Sequence, residues 1–233
     1  MAAIIKIDRS VIPACDVTVD RYEDIIRETA EMPQIGAYKI SAELALSQGL
    51  PKLVEIAREY TDKPLIYDHQ KACTDIPDTG KGFVKVVKDS GIDALILFPL
   101  TGPATQTTWI RAAKDINLAV IVGGHMTHER YLQSDGGYID DRAVDKIFST
   151  SADLGIANFV VPGNKPEVIT HLRQLVIQYN VEPIFYAPGF IAQGGNISSA
   201  ASVAGPKWHA IVGRAIYEAK DIQRTAESLV SQL

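Results

Sequence analysis

Eight short apolar runs, each followed by a longer amphipathic stretch, set the frame into which this chain can fold. They are VIPACDV (11–17), GAYKI (36–40), KPLIYD (63–68), DALILFP (93–99), LAVIVGG (118–124), ANFVVPG (157–163), EPIFYAPG (182–189) and HAIVGR (209–214). Most are nearly continuous in apolar character rather than alternating, the pattern of parallel strands covered on both faces. Between them, RYEDIIRETAEM, LPKLVEIAREYT, GKGFVKVVKDSG, TQTTWIRAAKDIN and KPEVITHLRQLVIQYN carry helical spacing. In the last of these, Val168, Leu172, Leu175 and Val176 predict one apolar stripe. Eight strands with helical connectors and a closing helix, DIQRTAESLVSQL, predict an α/β fold: a single TIM-type (β/α)8 barrel spanning residues 1–233 as one domain. An open doubly wound sheet is the alternative. Its usual Gly-rich turn after the first strand is missing, and CDVTVD stands there.

Composition narrows the function classes. With 46% apolar and 22% charged residues over 233 positions, the chain can bury a sizeable core. A net charge of -5 argues against broad binding to nucleic acid or anionic lipid, so neither is expected as a partner. No apolar run approaches the roughly 20 residues needed to cross a bilayer. The two cysteines, Cys15 and Cys73, form no CxxC pattern and are expected to be small buried residues in a reducing, cytoplasmic setting.

In β/α barrels the chemistry sits where strands hand over to the following loops. Here those positions carry Asp16, Lys39, Asp68, Lys71, Asp75, Thr127, Pro188, Gly213 and Arg214. One such charge alone is ordinarily an exposed strand end. Several together must pair with one another, with water or with a ligand, because an unpaired buried charge is costly. The densest segment, YDHQKACTDIPDTG (67–80), sets Lys71 between two carboxylates, which hold an ammonium protonated. Such a lysine suits proton donation better than Schiff-base chemistry, which needs a neutral amine. A rim ion-pair network is the plain alternative. The second dense region is PGFIAQGGN (188–196) followed by IVGR (211–214). Its glycines allow close backbone approach, Gln193 offers an amide and Arg214 a planar fork, which together suit a phosphate.

These motifs resemble the orotidine 5′-phosphate decarboxylase family nearly end to end, from PACDV through YKI, DHQKACTDIPDT and MTH to PGFIAQGGN and IVGRAIYEAKD. The resemblance implies loss of carbon dioxide from C6 of orotidine 5′-phosphate to give uridine 5′-phosphate, without metal or organic cofactor. It implies that Asp16 and Lys39 contact the ribose, and that Lys39, Asp68, Lys71 and Asp75 form an alternating charged array. In that array Lys71 protonates a C6 carbanion. Thr127 would touch the pyrimidine, and Gln193, Gly213 and Arg214, beside Pro188, would hold the phosphate. Asp75 and Thr79 would reach into the partner site of a homodimer. The family pattern D-x-K-x-x-D is stretched here, since Asp68 to Lys71 and Lys71 to Asp75 each span one position more. On a regular strand Asp68 then aligns with Gln70, and a bulge would be needed to return Lys71 to that face.

Other motifs are weaker. His125 and His128 have an H-x-x-H spacing but no evident third metal ligand. TGKG (79–82) lacks the upstream glycine of a phosphate loop and is better taken as a helix start. Trp109 and Trp208 are expected to pack in the core. Two further functions stay open: a related sugar-phosphate decarboxylase or synthase requiring magnesium, and a noncatalytic barrel that binds uridine nucleotides.

Overall fold

The computed structural model describes residues 3–70, 75–189 and 202–233. The strands are β1 (Arg9–Cys15), β2 (Tyr38–Ser41), β3 (Leu65–Asp68), β4 (Ala94–Leu97), β5 (Ala119–Gly123), β6 (Asn158–Val160), β7 (Ile184–Pro188) and β8 (Trp208–Val212). Each pairs in parallel with the next, and β8 pairs with β1 over Arg9–Pro13, closing a barrel in the order β1 to β8. The open-sheet alternative is therefore excluded, and each predicted run supplies a strand.

Two buried layers explain why the runs are continuously apolar. Ile12, Ala14, Ile66, Ile96, Ile121, Tyr186 and Ile211 form one cluster, which fills the barrel interior. Their neighbours one position away, such as Val11, Leu65, Leu95, Val120, Phe185 and Ala210, belong to a second cluster shared with the helices. Strand alternation sends successive side chains to opposite faces, and here both faces are covered. Near the N-terminal ends of the strands the interior turns polar: Ser10 Oγ is hydrogen-bonded to His209 Nδ1 at 2.8 Å, and the Tyr186 hydroxyl lies 3.3 Å from Asn158 Oδ1.

The surrounding helices include α1 (Val19–Thr29), α2 (Ala42–Gln48), α3 (Leu50–Arg58), α4 (Gly80–Asp89), α5 (Pro103–Asp115), α6 (Asp141–Asp153) and α7 (Pro166–Ile177). The buried residues of α7 are Ile169, Leu172 and Val176, so the predicted stripe is displaced: Val168 and Leu175 flank it, only partly buried. TGKG does begin a helix, since α4 starts at Gly80 with Thr79 as its N-cap residue. Trp109 of α5 fixes this start. Its indole N–H donates to the Ile76 carbonyl at 3.1 Å, and a Cβ at position 80 would lie 2.5 Å from the indole, so only glycine fits. Both tryptophans are buried as expected. No helix among the described residues is long and apolar enough to cross a membrane.

Candidate active site

The inward-facing register of three adjacent strands changes from apolar to charged as each strand reaches its C-terminal end. Ile12 and Ala14 of β1 are followed by Asp16 just past its end; Ala37, just before β2, is followed by Lys39; Ile66 of β3 is followed by Asp68 and, in the turn beyond, by Gln70. The period of two thus carries four polar side chains into the barrel mouth. Lys39 Nζ lies 2.5 Å from Asp68 Oδ2 and 3.6 Å from Asp16 Oδ1. Asp68 is fully buried and Lys39 is 4% exposed, so neither charge is solvated by bulk water.

Burial works against the Lys39 ammonium, but the Asp68 and Asp16 carboxylates outweigh it and raise its pKa above the ordinary lysine value. Lys39 is therefore a fixed cation at neutral pH. Asp68 also accepts the Gln70 backbone N–H at Oδ1 (3.3 Å) and the Gln70 side-chain amide at Oδ2 (3.4 Å). The adjacent Cys15 thiol is buried and its pKa is pushed up to about 12, which removes it as a nucleophile at neutral pH.

The array opens into a cavity of about 550 Å³, within the range of pockets that enclose small ligands. Thr127, Pro188, Gly189, Gly213 and Arg214 also line it. Gly213 follows β8 directly, and Arg214 begins a short helix, Arg214–Tyr217. The far end of that helix is pinned by Arg21 of α1, which donates to the carbonyls of Tyr217 (3.0 Å) and Ala219 (2.5 Å). Arg214 itself is exposed at the rim and has no ion-pair partner among the described residues. Gly189 has φ +93°, a conformation that side chains resist, and a Cβ there would press on the Thr127 methyl at 3.2 Å. His125 and His128 line the cavity too. Burial lowers the pKa of His125, and its Nδ1 lies 2.9 Å from the Met126 carbonyl. Among the described residues no three His, Cys, Asp or Glu side chains converge to hold a metal ion.

A family model described as "Orotidine 5′-phosphate decarboxylase / HUMPS family" matches residues 9–229. The chain belongs to that family. A curated orotidine 5′-phosphate decarboxylase of Methanosarcina barkeri is 31% identical over 228 residues, covering 96% of this chain and 94% of that one. Another, of Methanococcus maripaludis, is 28% identical over 210 residues, covering 90% and 89%. Among solved structures, the Methanocaldococcus jannaschii orotidine 5′-monophosphate decarboxylase complexed with the inhibitor BMP superposes with a TM-score of 0.83. It is 25% identical, with 97% of this chain and 99% of that chain covered. The Pyrococcus horikoshii enzyme, 24% identical with a TM-score of 0.77, supports the same fold.

Of the residues that the family resemblance singles out, Asp16, Lys39, Asp68, Thr127, Pro188, Gly213 and Arg214 line one cavity. Lys71 and Gln193 lie outside the described residues, as does Cys73. Asp75 and Thr79 are exposed and do not line the cavity of their own chain. Asp75 Oδ1 accepts the Ile76 N–H at 2.7 Å, and Thr79 Oγ1 donates to the Ile76 carbonyl at 2.9 Å, so the turn holds both at the surface. Gln70, Asn164 and Tyr217 also line the cavity, and the sequence motifs do not single them out. Strand alternation from Asp68 pointed to Gln70, and Tyr217 lies within IVGRAIYEAKD. Asn164 carries no comparable signal.

Proposed function

We propose that this chain converts orotidine 5′-phosphate to uridine 5′-phosphate and carbon dioxide. The observation that carries the proposal is the Asp16–Lys39–Asp68 array, its Lys39–Asp68 pair buried, facing a glycine and arginine rim across one cavity in a chain of this family. In the proposed reaction the bond from C6 to the carboxylate carbon breaks and its electron pair stays on C6. A lysine ammonium then delivers a proton to C6. Lys71 is the proposed donor, with Lys39, Asp68 and Asp75 completing the array. A carboxylate fixed near the substrate carboxylate opposes it in the ground state, and the ammonium groups stabilise the carbanion as it forms. Asp16 and Lys39 are assigned to the ribose and Thr127 to the pyrimidine. Pro188, Gln193, Gly213 and Arg214 are assigned to the phosphate.

Asp75 and Thr79 are assigned to the active site of a partner subunit in a homodimer. Supporting this, Ile76 (57% exposed) leaves apolar surface open between them, and Leu100, the neighbour of Thr101 in sequence, lines one groove with Tyr138 (97% exposed). Thr101, next to Leu100, donates to the Asp75 carbonyl at 3.4 Å, which ties the turn to this surface.

Incubation with orotidine 5′-phosphate and a chelator is expected to show the ultraviolet change of decarboxylation. No turnover at micromolar enzyme would retire the proposal. Activity on a sugar phosphate that chelation abolishes would instead select the magnesium-dependent side of the family. Binding of uridine 5′-phosphate without turnover would select a noncatalytic barrel. A second expectation concerns the rim: Arg214→Ala should raise KM by about 10- to 100-fold with a smaller change in kcat, the loss expected for one charged phosphate contact. Steady-state kinetics reads this directly.

A further inference from the structure

Gln70 is built into the site in a way that its neighbours do not explain. Its side-chain N–H donates to Asp68 Oδ2 and its backbone N–H to Asp68 Oδ1, so one residue secures both oxygens of the buried carboxylate. The carboxamide orientation follows from this, because its carbonyl would be repelled by Asp68. That carbonyl, Oε1, is buried and has no hydrogen-bond partner among the described residues, although the residue lines the cavity. A buried acceptor left unpaired is destabilising, and such orphans in a folded site call for a donor from elsewhere. Gln70 stands in the turn two positions beyond Asp68, the last residue of β3, and still faces the cavity.

We infer that Gln70 is a positioning and specificity residue: its amide fixes Asp68, and its carbonyl accepts a hydrogen bond from a hydroxyl of the bound ligand's sugar. A sugar hydroxyl is the donor chosen because Lys39 joins Asp68 to Asp16 at this end of the cavity. This end is the one assigned to the ribose, so the inference rests on the function proposed above. A ligand lacking that hydroxyl leaves the Gln70 carbonyl orphaned and binds more weakly. Gln70 thereby separates ribonucleotides from their deoxy counterparts.

Calorimetric titration of the full chain with uridine 5′-phosphate and its 2′-deoxy and 3′-deoxy analogues tests this without requiring turnover. The wild type is expected to bind one of the deoxy analogues about five- to tenfold more weakly, the effect of one hydrogen bond. Gln70→Met, unbranched and close in volume, should weaken uridine 5′-phosphate binding by about that factor more than it weakens binding of that analogue, because loss of the Asp68 contact bears on all the ligands alike. Undiminished discrimination in Gln70→Met, or equal weakening toward all three ligands, would overturn the assignment while leaving the substrate proposal intact. A wild-type chain that does not bind uridine 5′-phosphate at all would remove both.

Discussion

Lys39→Met is expected to lower kcat/KM by about 10³-fold or more and to destabilise the fold by about 3–5 kcal/mol. Both effects follow from where the ammonium sits. Lys39 is almost fully buried between two carboxylates, and Asp68 is fully buried against it. Removing the cation leaves the Asp68 carboxylate with the Gln70 N–H groups as its remaining donors among the described residues. One partner removed from a buried pair strands the other charge, whereas removing both is far less damaging. The double variant Lys39→Met/Asp68→Asn should therefore recover much of the stability lost in Lys39→Met. It should recover none of the activity, since the array that faces the substrate is gone. Urea unfolding read beside steady-state kinetics separates the two roles. Near-wild-type activity in either variant would reduce the array to scaffolding.

That separation matters because the charged array was legible in the sequence and its connectivity was not. Asp16, Lys39 and Asp68 stand out because charges at the ends of apolar strands need an explanation, and the inward period of two predicts a shared face. Which of them pair depends on the closed barrel, which sets β2 beside β3 with Lys39 opposite Ile66 and Ser41 opposite Asp68. Closure of β8 onto β1 likewise brings Arg214 and Asp16 to the same cavity from opposite ends of the chain. Neutral polar residues gave weaker signals: Gln70 and Asn164 could stand in any loop, and their amides show a purpose only once the cavity surrounds them. The turn bearing Asp75 and Thr79 depends on Trp109, some thirty positions later, and local patterning does not register such a partner. The helix stripe moved for a related reason. Ile169 is fully buried and Val168 only partly, because the barrel, rather than the helix alone, selects the buried side.

Acid should loosen this protein through a residue that the proposed chemistry does not use. His209 sits inside the lower barrel, 1% exposed, hydrogen-bonded to Ser10 and 4.9 Å in ring-centroid distance from Tyr186. Burial lowers its pKa from 6.5 to about 4, outweighing the opposing Asp8 charge. The folded state therefore keeps the ring neutral in a range where the unfolded chain binds a proton. With the folded pKa below the unfolded one, unfolding takes up a proton between about pH 6.5 and 4. This contribution to stability is complete above pH 6.5 and falls as pH drops through that window, by about 2 kcal/mol at pH 5 and about 3 kcal/mol below pH 4. Urea midpoints at about pH 7.5 and pH 5 measure it. His209→Leu combined with Ser10→Ala removes the titrating ring and its hydrogen-bond partner together, so that neither is left orphaned, and should flatten the pH dependence by about 2 kcal/mol over that interval. An unchanged slope in the double variant would show that the acid sensitivity arises elsewhere and that His209 is protonated in the folded barrel as readily as in the unfolded chain.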